Sequence, residues 1–186
     1  MVVGVTYRSA RCGAEVHIAH EPGSVELIQS LVRRIRPSVI VELGTYMGGL
    51  TLALHDAWPK AELHSFDVKN VPGEIVSSFP GSARREWFGP HVHFYADSVL
   101  GTPHNFVREV LARPGRALLY CDNGDKAAEV NTYGPMLKRG DVLGVHDWLS
   151  EVWYAQIERV LKDFLPWKQR EFIERSFLSR FWMRVA

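Results

Sequence analysis

The chain is nearly free of cysteine: Cys12 and Cys121 are the only two in 186 residues. Two thiols cannot build a disulfide framework, and they fit a reducing, cytoplasmic setting. Long hydrophobic runs are also missing. The longest, near 38–43 and 117–121, are far too short to span a bilayer. The first residues carry neither an apolar signal core nor a cleavage pattern. Charge of one sign is not in excess, with 22 Lys and Arg against 21 Asp and Glu and a net charge of +1. Composition therefore gives no electrostatic reason to expect a nucleic-acid or membrane partner. Repeats, low-complexity tracts and domain linkers are absent too. What is there is an ordinary soluble composition, 46% hydrophobic and 23% charged, long enough to bury a full core. One domain over 1–186 is expected, with 1–23 as a candidate lid and 24–186 as the core.

Apolar periodicity alternates between strand and helix. SVELIQSLVRRIR places Leu27, Ile28, Leu31, Val32 and Ile35 at helical spacing; Ser24 is the expected cap and Pro37 the stop. SVIVEL is a short, continuously apolar run, as in strands buried on both faces. MGGLTLALHDAW follows as a helix despite its glycines. AELHSFDV, HVHFYADS, RALLYCD and DVLGVHDW read as four further strands. A helix begins at Thr102-Pro103, another covers KAAEVNTYGPMLKRG and breaks near Gly134-Pro135, and a third runs through EVWYAQIERVLKDFL to Pro166. Residues 69–90 read as a long loop with one helical turn at most. QREFIER and FLSRFWMRV are expected to form a closing antiparallel pair. The fold class that follows is α/β: a Rossmann-like, doubly wound, mostly parallel sheet with a C-terminal antiparallel hairpin.

In open α/β sheets ligands bind beyond the carboxyl ends of the strands. The first such end reads Glu42-Leu43-Gly44-Thr45-Tyr46-Met47-Gly48-Gly49. Glycines let the backbone approach a ligand closely, and the following helix offers free N–H groups. The spacing is G-x-x-x-G-G rather than G-x-G-x-x-G. An acid two places before the first glycine would repel a pyrophosphate and favour a cationic ligand. S-adenosylmethionine, with an ammonium, a sulfonium and no phosphate, satisfies both features. Asp67, followed by Val68, ends the next strand, where an acid receives ribose hydroxyls. Asp97-Ser98 ends the third and faces an adenine in this scheme. Asp122-Asn123 ends the fourth, and His146-Asp147 the fifth.

ELGTYMGG, HSFDV, YADS, LLYCDNGDK and GDVLGVHDW together resemble the class I S-adenosylmethionine-dependent methyltransferases. Within these the chain is similar to the small O-methyltransferases of the catechol type and to the methyltransferase 24 and cephalosporin-hydroxylase-like group, over about 24–150 and the terminal hairpin. The resemblance implies a cofactor site of Glu42, Gly44, Thr45, Tyr46, Gly48, Gly49, Asp67, Val68, Asp97, Ser98, Asp122 and Asn123. It implies transfer of a methyl group to a hydroxyl of a small-molecule or sugar-like substrate, with Asp122 near the reacting methyl. In catechol-type enzymes acids at the ends of the fourth and fifth strands bind magnesium; Asp122 and Asp147 match them. Trp148, where an amide ligand would stand, cannot ligate a metal.

An acceptor hydroxyl must lose its proton, and Asp122, His146 and Lys126 are the candidate catalytic residues. Each also has a plainer reading. The glycines could simply shape a turn, Asp122-Asn123-Gly124 is a turn by composition, His146 could be structural, and Lys126 fits a solvated helix residue. His17, His20, His91 and His93 form no metal-ligand spacing with cysteine and read as ordinary. The aromatics Trp87, Phe88, Trp148, Trp153 and Tyr154 serve core packing or a subunit contact, which leaves a homo-oligomer open, or wall a substrate pocket. Two other classes stand beside the methyltransferase: a non-catalytic S-adenosylmethionine-binding module acting in an assembly, and an NAD(P)-dependent oxidoreductase, which calls for the missing G-x-G-x-x-G turn.

Overall fold

A buried strand of five residues, Val39–Leu43 (β3), is the centre of the structure. All five side chains are buried, Glu42 among them, as in a strand covered on both faces. The computed structural model describes residues 4–21, 23–67, 83–96, 99–100, 104–167, 169–176 and 178–186. Before β3 come a hairpin of Val5–Arg8 (β1) and Glu15–Ile18 (β2) and a helix, Ser24–Ile35 (α1). After it come Gly49–Ala57 (α2), Glu62–Phe66 (β4), Val92–Tyr95 (β5), His104–Ala112 (α3), Ala117–Cys121 (β6), Lys126–Tyr133 (α4) and Val142–Val145 (β7). Tyr154–Leu161 (α5), Phe164–Pro166 (β8), Gln169–Arg175 (α6) and Arg180–Arg184 (β9) complete the order.

The main sheet has seven strands in the order β5-β4-β3-β6-β7-β9-β8. From β5 to β7 neighbours are parallel, while β9 lies antiparallel to both β7 and β8. Alternate residues of β3 feed two cores on opposite faces: Val39, Val41 and Leu43 pack with α3 and α5, and Ile40 packs with α1 and α2. This is the doubly wound sheet expected from the strand–helix alternation. It departs from the usual dinucleotide order, which runs outward in parallel past the fifth strand, because here a reversed strand is inserted next to β7.

Three expectations are corrected. The closing hairpin is not QREFIER with FLSRFWMRV. Residues Gln169–Arg175 are helical, and the partner of β9 is Phe164–Pro166. Phe172 is buried while positions 170, 171, 173 and 174 are all exposed, a pattern without strand alternation, and Arg170 reaches Glu174 one turn on at 2.9 Å. The helix before it therefore ends at Leu161, four residues before the expected limit, and Pro166 sits on the sheet edge, where a missing N–H costs nothing. Ser24 does not cap α1 from outside; it is the first helical residue, and its hydroxyl donates to the Glu21 carbonyl at 2.9 Å. The N-terminal segment carries the β1–β2 hairpin, turning at Gly13 with φ 72°. The expected start at Thr102-Pro103 and most of the long loop, 69–82, lie outside the described residues.

A buried acid fixes the opposite edge of the sheet. Asp141 is 1% exposed, and its carboxylate accepts from the amides of Ala117 at 2.8 Å and Lys138 at 2.7 Å. It thereby ties the starts of β6 and β7 together. Asp141→Ala strands both amides and is expected to cost about 2–4 kcal/mol, read as a lowered urea midpoint with an unchanged m-value.

Candidate functional site

The elbow after β3 is built by two close approaches. Gly44 has φ 104°, and a Cβ there would meet the main-chain carbonyl oxygen of Asp122 at 2.4 Å. Gly49 lies so close to the β2 end that a Cβ would fall 2.2 Å from the His17 carbonyl oxygen. The glycines therefore seat the elbow between the β6 end and the N-terminal segment. Gly48, with φ 71°, is the residue before α2. Tyr46 also has positive φ, 47°, and its amide donates to Asp67 Oδ2 at 2.8 Å. Elbow and second strand end are thus locked together, with the Tyr46 ring 59% exposed.

Glu42 and Thr45 do not face the crevice with their side chains. Glu42 is fully buried, and its Oε2 accepts from Thr51 and Ser65, each at 2.5 Å. The Thr45 hydroxyl lies 2.6 Å from that of Ser65. Burial raises the Glu42 pKa to about 8, against the opposing effect of these hydrogen bonds, so the carboxyl is largely protonated at neutral pH. The expected direct greeting of a cation by Glu42 is corrected accordingly: strand alternation turns this side chain under α2, away from the elbow's open side.

The strand ends of β6 and β7 carry a dense cluster of charge. His146 Nδ1 lies 3.1 Å from Asp122 Oδ1 and 3.5 Å from Asp147 Oδ2, and its Nε2 lies 3.5 Å from Glu21 Oε2. Burial alone would lower the His146 pKa, yet these three carboxylates push it up to about 11. Lys126 is 5% exposed and reaches Glu151 at 2.7 Å, Asp147 at 3.0 Å and the Asn123 carbonyl at 2.9 Å. Its pKa is raised in spite of burial, chiefly by Glu151 and Asp122. Both side chains are held as cations in this arrangement. This corrects the expectation of either as a ready base, and the expectation of Lys126 as a solvated residue.

His20 and Glu21 enter the site although nothing in their sequence spacing marked them. His20 stacks on His146, with ring centroids 4.0 Å apart and planes at 20°. Its Nε2 lies 2.8 Å from the Tyr120 hydroxyl and 3.8 Å from Asp122 Oδ2. Burial, with His146 alongside, lowers its pKa to about 4, so it is neutral. Glu21 accepts from the Leu178 amide at 2.7 Å, which bolts the N-terminal segment to the chain before β9. His20, Gly44, Thr45, Tyr46, Gly49 and Asp122 border a cavity of about 20 Å³, room for a water or an ion.

The structure thus brings Gly44, Thr45, Tyr46, Gly48, Gly49, Asp67, Asp122 and Asn123 to one edge of the sheet, with Lys126, His146 and Asp147 beside them. Asn123 with Gly124 makes the turn before α4, which Asp125 caps through the Ala128 amide at 3.0 Å. Val68, Asp97 and Ser98 lie outside the described residues. The expected magnesium pair, Asp122 and Asp147, does converge, but on His146 Nδ1, and Asp147 also meets the Lys126 ammonium. A hard cation collects several oxygens; the donors around Asp122 are a mixture of carboxylate and imidazole.

The fold is that of class I methyltransferase structures. CmcI in its Mg-SAM form is similar over 98% of this chain and 77% of that chain, with a TM-score of 0.68 and 17% identity. A methyltransferase from Geobacter sulfurreducens matches over 87% and 78%, at 0.56 and 13%. The O-methyltransferase TomG from Streptomyces achromogenes, solved with SAM, matches over 88% and 80%, at 0.52 and 12%. No protein-family model matches the chain, and no curated protein does. Among the described residues no helix is long and apolar enough to cross a membrane.

Glu42 carries a pH signature. Its folded pKa of about 8 stands above the unfolded value of 4.5, so its contribution to stability is complete below 4.5 and is lost as pH rises through 8. Glu129 is shifted the same way and acts in the same window. Glu42→Gln is expected to fold and to flatten, in part, the decline of the urea midpoint between about pH 5 and pH 8.5. Identical slopes for the two proteins would show that the buried carboxyl does not titrate as described.

Proposed function

We propose that this chain is an S-adenosylmethionine-dependent methyltransferase, a single domain acting on a hydroxyl of a small-molecule or sugar-like acceptor. The observation that carries this reading is the lock between Asp67 and the Tyr46 amide. It sets a carboxylate at the second strand end against a glycine elbow at the first, in a sheet with a reversed strand beside β7 and a fold similar to that of the O-methyltransferase TomG. In this reading the elbow amides hold the methionine portion of the donor, and Asp67 takes the ribose hydroxyls. Asp97 and Ser98 are retained as the proposed adenine contacts.

Methyl transfer is an in-line displacement at carbon, so orientation of the two reactants is the main help the protein gives. The sulfonium loses its charge in the step, and the acceptor loses a proton. Asp122 and His20 border the cavity where that proton leaves. His146 and Lys126 act by holding the carboxylates of Asp122 and Asp147 in place. A divalent cation beside Asp122 would make the acceptor oxygen more acidic, and one similar structure, CmcI, is a Mg-SAM form. The N-terminal segment lies over the elbow and serves as its cover.

The mutual neutralisation of His146, Lys126 and the carboxylates also favours a second reading, a donor-binding module without turnover. Calorimetric titration separates these cases. S-adenosylmethionine is expected to bind and NAD not to. Asp67→Ala is expected to weaken donor binding by about 1–3 kcal/mol. Unchanged affinity in that variant removes Asp67 from the donor site, and binding without turnover on a panel of hydroxylated acceptors selects the module.

A further inference from the structure

We infer that the loop after β7, residues 147–153, and the first turn of α5 seat the acceptor, and that this acceptor is an uncharged hydroxyl compound with an apolar body rather than a sugar. The inference rests on the methyltransferase reading and narrows its acceptor. In that reading the donor occupies the ends of β3 and β4, where Asp67 meets the Tyr46 amide. Ligands of open α/β sheets sit beyond the carboxyl ends of the strands, so the ends of β6 and β7 remain for the second reactant. These two strands are parallel neighbours, with Cys121 opposite Val145, and their ends lie side by side. The loop that leaves β7 is stapled to this place: Asp147 and Glu151 reach the Lys126 ammonium at 3.0 and 2.7 Å. The start of α5 is tied to α4, since the Asn131 side-chain amide donates to the Gln156 carbonyl at 2.9 Å.

The loop itself points to an apolar ligand. Leu149 has φ 65° and is 62% exposed. A bulky side chain rarely takes positive φ, where glycine or asparagine fits better, and at this exposed position burial offers no compensation. Strained residues cluster at active sites and ligand clamps. Trp153 and Tyr154, 45% and 56% exposed, follow in the same loop and helix start. Large apolar side chains gathered at an exposed edge mark binding surfaces. The surface is also preformed: the Leu149 amide donates to the Val152 carbonyl at 2.9 Å, and the Trp153 amide to the Gln156 side chain at 2.7 Å. The charges next to it answer one another. Lys126 is held by Asp147 and Glu151, and His146 by Asp122, Asp147 and Glu21. Both cations being engaged, the cluster disfavours an anionic acceptor, and what the loop presents beyond it is hydrocarbon and aromatic ring.

The test uses the full chain with S-adenosylhomocysteine present, titrated with 2-naphthol and with methyl glucoside and followed by amide NMR. 2-Naphthol is expected to shift the amides of 147–154 along a saturable isotherm and to bind at least about 10-fold tighter than the glucoside. Leu149→Asn is expected to keep or raise the urea midpoint, since asparagine tolerates this φ, and to weaken naphthol binding about 10-fold or more. Stability kept while binding is lost separates a ligand contact from a structural role. Tyr154→Ala is expected to weaken naphthol binding in the same direction. A glucoside that binds as tightly as naphthol, naphthol shifts that avoid the loop, or unchanged naphthol affinity in both variants overturns the inference. So does a wild-type dimer in sedimentation velocity that Leu149→Asn dissociates, because a second copy then covers the patch. S-adenosylmethionine titrated by calorimetry without acceptor reads the donor separately. A protein that binds it but fails the naphthol tests refutes the apolar acceptor alone, and one that does not bind it refutes the methyltransferase reading and the acceptor assignment with it.

Discussion

The contact between Gly44 and the main-chain carbonyl of Asp122 sets the geometry of everything at the carboxyl edge of the sheet. Adjacent parallel strands diverge into separate loops beyond their last hydrogen bond. Here the two chains stay together because position 44 has no side chain and holds φ 104°, and because the Asp122 amide still reaches the Leu43 carbonyl at 2.7 Å. The elbow is thereby pressed against the β6 end, and the Asp122 carboxylate is delivered to its border. Next door, Thr51 and Ser65 donate to the Glu42 carboxyl, with Thr45 on Ser65, and join α2, β3 and β4 beneath the same turn. One edge of the sheet is therefore preorganised by main-chain packing and a buried hydroxyl cluster before any ligand arrives.

The other half of the site is organised by charge. Three carboxylates hold His146 as a cation, and Lys126 serves Asp147 and Glu151 at once. Asp147 and Leu149 have positive φ, 54° and 65°, in the loop that makes these contacts. Backbone strain of this kind persists only where surrounding interactions fix it. The Leu149 amide bonded to the Val152 carbonyl, and the Trp148 amide bonded to that of Leu178, provide that fixation.

Much of this was legible in the chain. The apolar runs at 39–43 and 117–121 gave buried parallel strands because nothing else accommodates five consecutive buried residues of that kind between turns. Polar residues where those runs stop located the carboxyl edge. What was not legible depended on distance along the chain. His20 and Asp122 are separated by 102 positions, and no local spacing announces that they meet. Glu42 was misread because an acid beside glycines looks exposed, whereas strand alternation turns its side chain under α2, where two hydroxyls await it. QREFIER was misread because a seven-residue segment with adjacent apolar residues has too little periodicity to separate helix from strand.

The bond from the Leu178 amide to Glu21 spans 157 positions. Closing so large a loop is entropically late: the parallel sheet from β5 to β7 offers nearer pairings that form at lower cost. The histidine next to Glu21 sits on the segment that this bond docks against the chain before β9. A chain still emerging during synthesis therefore carries the elbow and its acids before this long-range bond can form.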